Sequence, residues 1–229
     1  GGSDTTAVAL AKALDADICE LYTDVSGVFT SDPRVVTAAT KISKISFDEL
    51  LEMTASGCPK PAMRSVEVAH NHGVPLHIRS AFTWETGTLV VDTEQKMEQL
   101  IIRAVTHDLS ESKVTVSKVP DEPGLAGSLF RALADGVIDV DMIVQNTSDD
   151  GVTDISFTVP TEQLESATGI LEKGTIAELG AESIHVDDSI GRVTVVGAGM
   201  KSNPGVAATM FEVLAANGIN IQMISTSAI

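Results

Sequence analysis

Apolar positions from Thr5 to Leu14 recur with a helical period, Ala7, Val8, Leu10, Ala11 and Leu14 falling on one side, and Ser3 or Asp4 stands where a cap belongs. The run Ile18 to Asp24 alternates as a short strand and leads into a Ser26-Gly27 turn. Phe47 to Ser56 reads as a helix capped by Ser46 with Glu49 at its third position, and Arg64 to His72 as a second helix stopped by Gly73. Leu76 to Arg79 and Thr88 to Val91 have strand character. Helix and strand therefore alternate through residue 91, the pattern of an open α/β sheet with parallel units. The polar run Asp92 to Lys96 reads as a hinge, which puts a boundary near residue 95.

Beyond the hinge the pattern repeats. Pro123 and Pro204, Gly124 and Gly205, Phe130 and Phe211, Leu133 and Leu214, Met142 and Met223, and Ile143 and Ile224 all stand 81 residues apart. Val114-Thr115-Val116 and Val193-Thr194-Val195 stand 79 apart, so the second copy carries two extra residues in its loop Gly197 to Asn203. Each copy reads as strand, Pro-Gly turn, helix, strand. The first continues through a strand at Val152 to Val159, a helical stretch from Thr161 to Leu179 and a strand around Ile184 to Val186, giving the α+β order βαββαβ. Met142, Ile143, Met223 and Ile224 are expected in the core. The second copy ends at Ile229 before its sheet can close, and the chain opens on Gly-Gly-Ser-Asp without Met, so the sequence is expected to be a window on a longer protein.

Composition narrows the function classes. The 229 residues, 43% of them hydrophobic, are ample for two or three folded domains. With 32 acidic against 15 basic residues the net charge is −17, which excludes nucleic acid and anionic membrane as bulk partners while leaving room for a local cationic phosphate site. Two cysteines, Cys19 and Cys58, make no disulfide framework, and neither an export signal nor a run of ~20 apolar residues is present, so a cytoplasmic setting is expected.

Three places carry candidate chemistry. Gly1-Gly2-Ser3-Asp4-Thr5-Thr6 enters a helix, where backbone N–H groups and hydroxyls converge on an anion, or where the residues form an ordinary cap. The loop from Thr23 to Arg34 follows a strand end, where open α/β folds bind ligands. Thr23 and Asp24 suit a ribose or base and Arg34 a phosphate, with a local Asp-to-Arg pair as the alternative. Asp121 to Ala126 and the half-polar strand Asp139 to Asn146 could together hold the carboxylate and ammonium of a small amino acid, or Asp121, Ser202 and Asn203 could simply cap helices. His70, His72, His77, His107 and His185 form no metal constellation, although magnesium can enter with a nucleotide, whose phosphates supply most of its ligands.

These segments resemble one family. Gly-Gly-Ser-Asp-Thr-Thr-Ala at 1 to 7, Tyr-Thr-Asp-Val-Ser-Gly-Val-Phe-Thr-Ser-Asp-Pro-Arg at 22 to 34 and Ser-Phe-Asp-Glu-Leu-Leu-Glu-Met at 46 to 53 are similar to the carboxyl-terminal half of the aspartokinase catalytic domain. Val-Pro-Asp-Glu-Pro-Gly at 119 to 124, Asp-Met-Ile-Val-Gln-Asn at 141 to 146 and Gly-Ala-Gly-Met-Lys-Ser-Asn-Pro-Gly-Val at 197 to 206 resemble the ACT regulatory domains of the same family, especially its actinobacterial members. The resemblance implies part of an amino-acid-kinase (carbamate-kinase-like) α/β/α sandwich over residues 1–95, a ferredoxin-like βαββαβ ACT domain over 96–190 and an incomplete second one over 191–229.

It also implies phosphorylation of the side-chain carboxylate of L-aspartate by ATP with Mg2+. Ser3 and Asp4 would hold aspartate, Gly1 and Gly2 would lie near the transferred phosphate, and Thr23, Asp24, Arg34 and Lys60 would contact ATP. Lysine and/or threonine are the implied inhibitors. Their contacts would be Asp121, Gly124, Ala126, Asp141, Gln145, Asn146, Ser148, Thr153 and Ser156 in the first ACT domain and Asn203, Gly205, Val206, Asn220 and Ile221 in the second. ACT pairing across chains implies a homo- or hetero-oligomer, and Met97 stands where a separate regulatory subunit begins in some relatives.

The sequence departs from the family at two points. Asp24-Val25-Ser26-Gly27 stands for Asp-Val-Asp-Gly, and Gly57-Cys58-Pro59-Lys60-Pro61 displaces the nucleotide-site lysine by one residue while its prolines remove backbone donors. The family's amino-terminal Lys-Phe-Gly-Gly motif is absent, so the window alone is expected to be inactive. A catalytically silent amino-acid-binding regulator is the alternative.

Overall fold

A computed structural model describes residues 2–92, 101–146, 151–197, 203 and 205–226. Gly1, the Thr93–Lys96 part of the hinge, Met97, Ser148 and Ser202 lie outside the described residues. Two compact units emerge, one drawn from Gly1–His107 and Val193–Ile221, the other from Asp108–Arg192 and Gln222–Thr226.

In the first unit, helix α1 (Ser3–Ala13) follows Gly2, whose backbone takes the cap position, so Ser3 and Asp4 lie inside the first turn rather than capping it. Its buried stripe is Ala7, Val8 and Ala11, packed against the core, whereas Leu10 and Leu14 face solvent, contrary to the expected face. Strands β1 (Cys19–Thr23) and β2 (Lys44–Ser46) are followed by α2 (Phe47–Ala55), α3 (Met63–His72), β3 (Leu76–Ser80) and β4 (Thr88–Val91). The start of α2 is the expected capping box: Ser46 Oγ accepts Glu49 N–H, and Glu49 Oε2 accepts Ser46 N–H, both at 3.2 Å. Gly73 ends α3 in the left-handed region.

The sheet order is β1-β3-β4-β2, with the expected parallel pairing in β1/β3 and β2/β4 and an antiparallel pair, β3/β4, between them. The short connection between β3 and β4 has no room for a crossover helix, so the two strands can only turn back on each other. The sheet and helices enclose Val8, Ile45, Leu50, Met53, Val66, Leu76 and Ile78. Thr88 is buried among them with its hydroxyl satisfied, accepting Val28 N–H and donating to Ile42 O, which pins the loop after β1 to β4.

Strand β5 (Ala104–Asp108) pairs with β10 (Arg192–Val196), the opening strand of the second repeat, although it precedes the first repeat in sequence. Val105 N–H donates to Thr30 O at 2.8 Å, and Arg103 joins its N–H to Val196 O (2.7 Å) and its Nε to Glu49 Oε1 (3.2 Å).

The second unit contains β6 (Glu111–Pro120), α4 (Leu125–Asp135), β7 (Ile143–Gln145), β8 (Val152–Pro160), a 3₁₀ turn at Thr161–Gln163, α5 (Leu164–Ile170), a wide turn at Leu171–Thr175, α6 (Ile176–Leu179) and β9 (Ser183–Asp187). Its antiparallel sheet runs β7-β8-β6-β9, the βαββαβ order foreseen. The helical stretch after Thr161 is not continuous, because Gly174 leaves helical geometry.

One face of the sheet packs Val114, Val116, Ile155 and Phe157 against Leu129, Leu133 and Leu171, with Phe130 edge-on to Phe157 at 5.5 Å. Between Val116 and Val119 the pairing shifts, and Lys118 N–H is taken by Asp154 Oδ1 at 2.8 Å. Ile143 and Ile224 are exposed and Met142 and Met223 only half-buried, which corrects their expected place in the core; β7 is a short edge strand with Ile143 and Gln145 exposed and Val144 half-buried.

Helix α7 (Val206–Ala216) begins 81 residues after α4, and the entries match: Gly124 has φ 101° and Gly205 has φ 106°. The residue at each cap position is a glycine, so neither helix is capped by the side chain of its own cap residue.

Candidate functional site

A cleft of about 320 Å³ in the first unit is lined by Ser3, Asp4, Leu21, Tyr22, Thr23, Asp24, Lys60, Pro61 and Ile78. The start of α1, the end of β1 and the loop before α3 thus bring five sequence-predicted residues together: Ser3, Asp4, Thr23, Asp24 and Lys60. With no side chain capping α1, its first-turn amides add a positive end beside the cleft. Asp4 Oδ2 accepts Ala62 N–H at 3.3 Å, tying the helix start to the Lys60 loop, and Cys58 Sγ donates to Lys60 O at 3.3 Å. The Thr23 hydroxyl donates to Asp24 Oδ1 at 2.9 Å and, with the charges of Lys60 and Arg34, holds the Asp24 carboxyl below its ordinary range.

Arg34 does not line the cleft; it is engaged by Asp32. Gly2 stands at the helix entry. Tyr22 and Pro61 also line the cleft, although neither was expected to contact a ligand. Tyr22 sits next to Thr23 on β1, and its phenol donates to Glu20 Oε2 at 2.9 Å while Arg79 lies over its ring, 5.6 Å from the centroid. Only the strand assignment could have put it there.

The second unit has a groove of about 360 Å³ lined by Val119, Pro120, Asp121, Glu122, Pro123, Gly124, Leu125, Ala126, Gln145, Thr153 and Ile155. It gathers Asp121 and Gly124 from the turn between β6 and α4, Ala126 from α4, Gln145 from β7 and Thr153 from β8. The uncapped start of α4 opens on it, an arrangement suited to a carboxylate, while Asp121 and Glu122 suit an ammonium. Thr153 is buried and donates its hydroxyl to Asn146 O, which fixes the two strand ends that flank the groove.

Asn146 and Ser156 do not line it, and Ser156 Oγ bonds Thr115 Oγ1 at 2.9 Å. Asp141 is committed elsewhere, to Arg192, whose guanidinium also meets Glu111 Oε1 at 3.2 Å and Asp108 Oδ2 at 3.3 Å. Arg192 stands far from these partners in sequence and carries no motif, so nothing local announced it. In the second repeat Asn203 and Ile221 are half-buried, Gly205 and Val206 open α7, and Asn220 is exposed.

Among the described residues no group of three or more His, Cys, Asp and Glu side chains could hold a metal ion, and no helix is long and apolar enough to cross a membrane.

Residues 1–80 match the amino acid kinase family, and residues 110–174 and 193–229 match the ACT domain. The aspartokinase of Mycobacterium tuberculosis is 48% identical across 100% of this chain and 55% of its own length. The crystallised alpha and beta subunits of an aspartokinase are 45% identical over 56% of this chain and 83% of theirs, with a TM-score of 0.52. This chain belongs to the aspartokinase family. Two structures of aspartokinase III from E. coli, one in complex with aspartate and ADP and one with lysine and aspartate, align with TM-scores of 0.82 and 0.73 at 28% and 29% identity, over all of this chain and 50% of theirs. The chain spans 55% of the mycobacterial aspartokinase.

Proposed function

We propose that this chain supplies part of the substrate machinery and part of the regulatory machinery of an aspartate kinase, which transfers a phosphoryl group from ATP to the side-chain carboxylate of L-aspartate and forms 4-phospho-L-aspartate. The observation that carries the reading is the single cleft lined by Ser3, Asp4, Thr23, Asp24 and Lys60. Phosphoryl transfer asks a protein mainly to position two anions and neutralise their charge. Ser3 and the open amides of α1 address the aspartate carboxylates, Asp4 its ammonium, Thr23 and Asp24 the nucleoside, and Lys60 the phosphates. Asp24 is an oxygen donor of the kind magnesium takes, and a magnesium ion held there would supply charge neutralisation between the phosphates.

Residues 1–95 are read as catalytic, 96–190 as the first ACT domain and 191–229 as part of the second, with β5 lent forward to the second repeat. The groove around Asp121 and the α4 start is read as an effector site for lysine or threonine, supported by the lysine complex of aspartokinase III. The ACT surfaces are read as the contacts of an oligomer, in keeping with the alpha and beta subunits of the relative, and the cytoplasm as the setting.

Calorimetric titration of MgADP and of L-aspartate into the chain tests the catalytic reading. Both are expected to bind, with Lys60→Ala weakening MgADP by about tenfold; no heat from either ligand at millimolar concentration overturns it. Lysine or threonine binding is expected to drop about tenfold or more in Asp121→Ala, because a charged contact is removed. An unchanged isotherm would remove Asp121 from the site. The groove lies wholly within the second unit, which favours one second reading, an amino-acid-binding regulator without catalysis. Lysine or threonine binding in the absence of any MgADP binding selects it.

A further inference from the structure

Strand β6 changes face just before it reaches the groove of the second unit. Ser112, Val114 and Val116 are buried at every second position, but the next buried residue is Val119, while Lys118 is exposed. The pairing explains the change. Val116 stands opposite Ile155 and Val119 opposite Thr153, so Ser117 and Lys118 of β6 share one β8 residue, Asp154. A bulge of this kind reverses which side chains point inward. It turns the Lys118 ammonium to solvent and gives its place in the apolar face to Val119.

Lys118 makes the bulge with φ 53°, in the left-handed region that a long side chain seldom adopts. Its N–H, taken out of the ladder by the bulge, donates to Asp154 Oδ1 at 2.8 Å, and its ammonium pairs with Glu182. Asp154 is exposed and lies between two groove residues, Thr153 and Ile155, with its charge committed to a backbone donor. Beyond the bulge the strands run on together, Val119 opposite Thr153, Pro120 opposite Val152, and Asp121 N–H donating to Gly151 O at 3.0 Å. Glu122 N–H then closes onto Pro120 O at 2.9 Å as the chain turns toward α4. Val119, Pro120 and Asp121 all line the groove, so the bulge sets where the Asp121 carboxylate stands.

We propose that Asp154 is a positioning residue for the amino-acid groove: by holding Lys118 N–H it fixes the left-handed bulge from which Val119 to Asp121 emerge, and so presents the Asp121 carboxylate to the ammonium of the ligand. The proposal rests on the effector reading of the groove given above and deepens it. Asp154 does not line the groove and acts through the β6 backbone.

Calorimetric titrations of L-lysine and of L-threonine compare the unaltered chain with Asp121→Ala, Asp154→Ala, Asp154→Asn, Lys118→Gly and two double variants, Asp154→Ala/Lys118→Gly and Asp154→Ala/Asp121→Ala. The amino acid that binds the unaltered chain is expected to bind Asp154→Ala about fivefold more weakly, because the bulge loses its charged acceptor. Asp154→Asn keeps an oxygen for the Lys118 N–H and should recover most of that loss. Glycine takes the left-handed conformation without strain, so Lys118→Gly alone should bind as the parent does and should bring Asp154→Ala back to within about twofold of it. In the Asp121→Ala background Asp154→Ala should add no further loss, since both changes act on one contact. The proposal fails if Asp154→Ala binds as the parent does, if Lys118→Gly leaves its loss in place, or if the losses of Asp154→Ala and Asp121→Ala add in full. Weakening in Asp121→Ala without any in Asp154→Ala strikes out Asp154 and leaves the effector reading standing, whereas no heat from either amino acid with the unaltered chain removes both.

Discussion

Asp32 keeps its charge to low pH because the Arg34 side chain and then the Arg34 backbone N–H donate to it, bringing its pKa to about 2 from 3.8. The shift is downward, so the pairing contributes fully above the unfolded carboxyl value and is lost as pH falls through about 2. A carboxyl carbon NMR titration should place its midpoint there, and a midpoint near 4 would mean the pairing does not persist in solution. Glu111 behaves in the opposite sense. Burial raises its carboxyl above the ordinary range, and Asp141 alongside adds to this against the Thr158 hydroxyl and Arg192. Three carboxylates meet one guanidinium there, so charging Glu111 carries a cost that vanishes once it is protonated. Glu111→Gln is therefore expected to melt higher than the parent at pH 7, with the advantage shrinking toward pH 4; a lower melting temperature at pH 7 would show that pairing with Arg192 outweighs desolvation. Of these residues, Arg34 and its local acid were legible in an Asp-Pro-Arg triplet. Arg192 was not, because its partners, Asp108 and Glu111 in one stretch and Asp141 in another, lie 51 or more residues before it.

At the scale of elements, the helices were legible wherever their ends carried chemistry. Ser46 with Glu49, and Gly73, marked real boundaries. The face of α1 was misjudged because Leu10 and Leu14 fit the helical period as well as Ala11 does, and only packing chooses Val8 with the small alanines. The direction of β4 was hidden for a related reason, since alternation reports a strand but not which way its neighbour runs. The paired glycines give this scale its sharpest prediction. A Cβ at Gly124 or Gly205 would meet no atom within 4 Å, so alanine there costs backbone strain alone. Each substitution should lower stability by about 1–2 kcal/mol, the cost of a left-handed residue. Urea unfolding of the two variants measures it, and a loss at one position only would end the equivalence of the two repeats.

For the whole molecule, the order of elements and the duplication were readable from spacing, whereas the gathering of Ser3, Asp4, Thr23, Asp24 and Lys60 in one site was implied only by the family resemblance; they lie on element ends and a loop that line one cleft. The division into units was less legible, because β5 leaves the order of the sequence to join β10. The charge of −17 acts at this scale. Raising monovalent salt from about 10 mM to about 150 mM shortens the screening length from ~30 Å to ~8 Å, so the melting temperature should rise as self-repulsion weakens. A fall would mean that attractive pairs such as Arg103–Glu49 dominate instead.

Strand β5 also has a thermodynamic consequence. Val105 is bonded to Thr30, in the loop that carries Arg34, and Arg103 beside it to Val196 of the second repeat. A displacement of β5 imposed from either side must therefore be felt at the other. Any ligand that favours one placement of Thr30 would bias β10 by the same free energy with which a ligand at the second repeat would bias Thr30, because the coupling between two equilibria has one magnitude whichever end is occupied first.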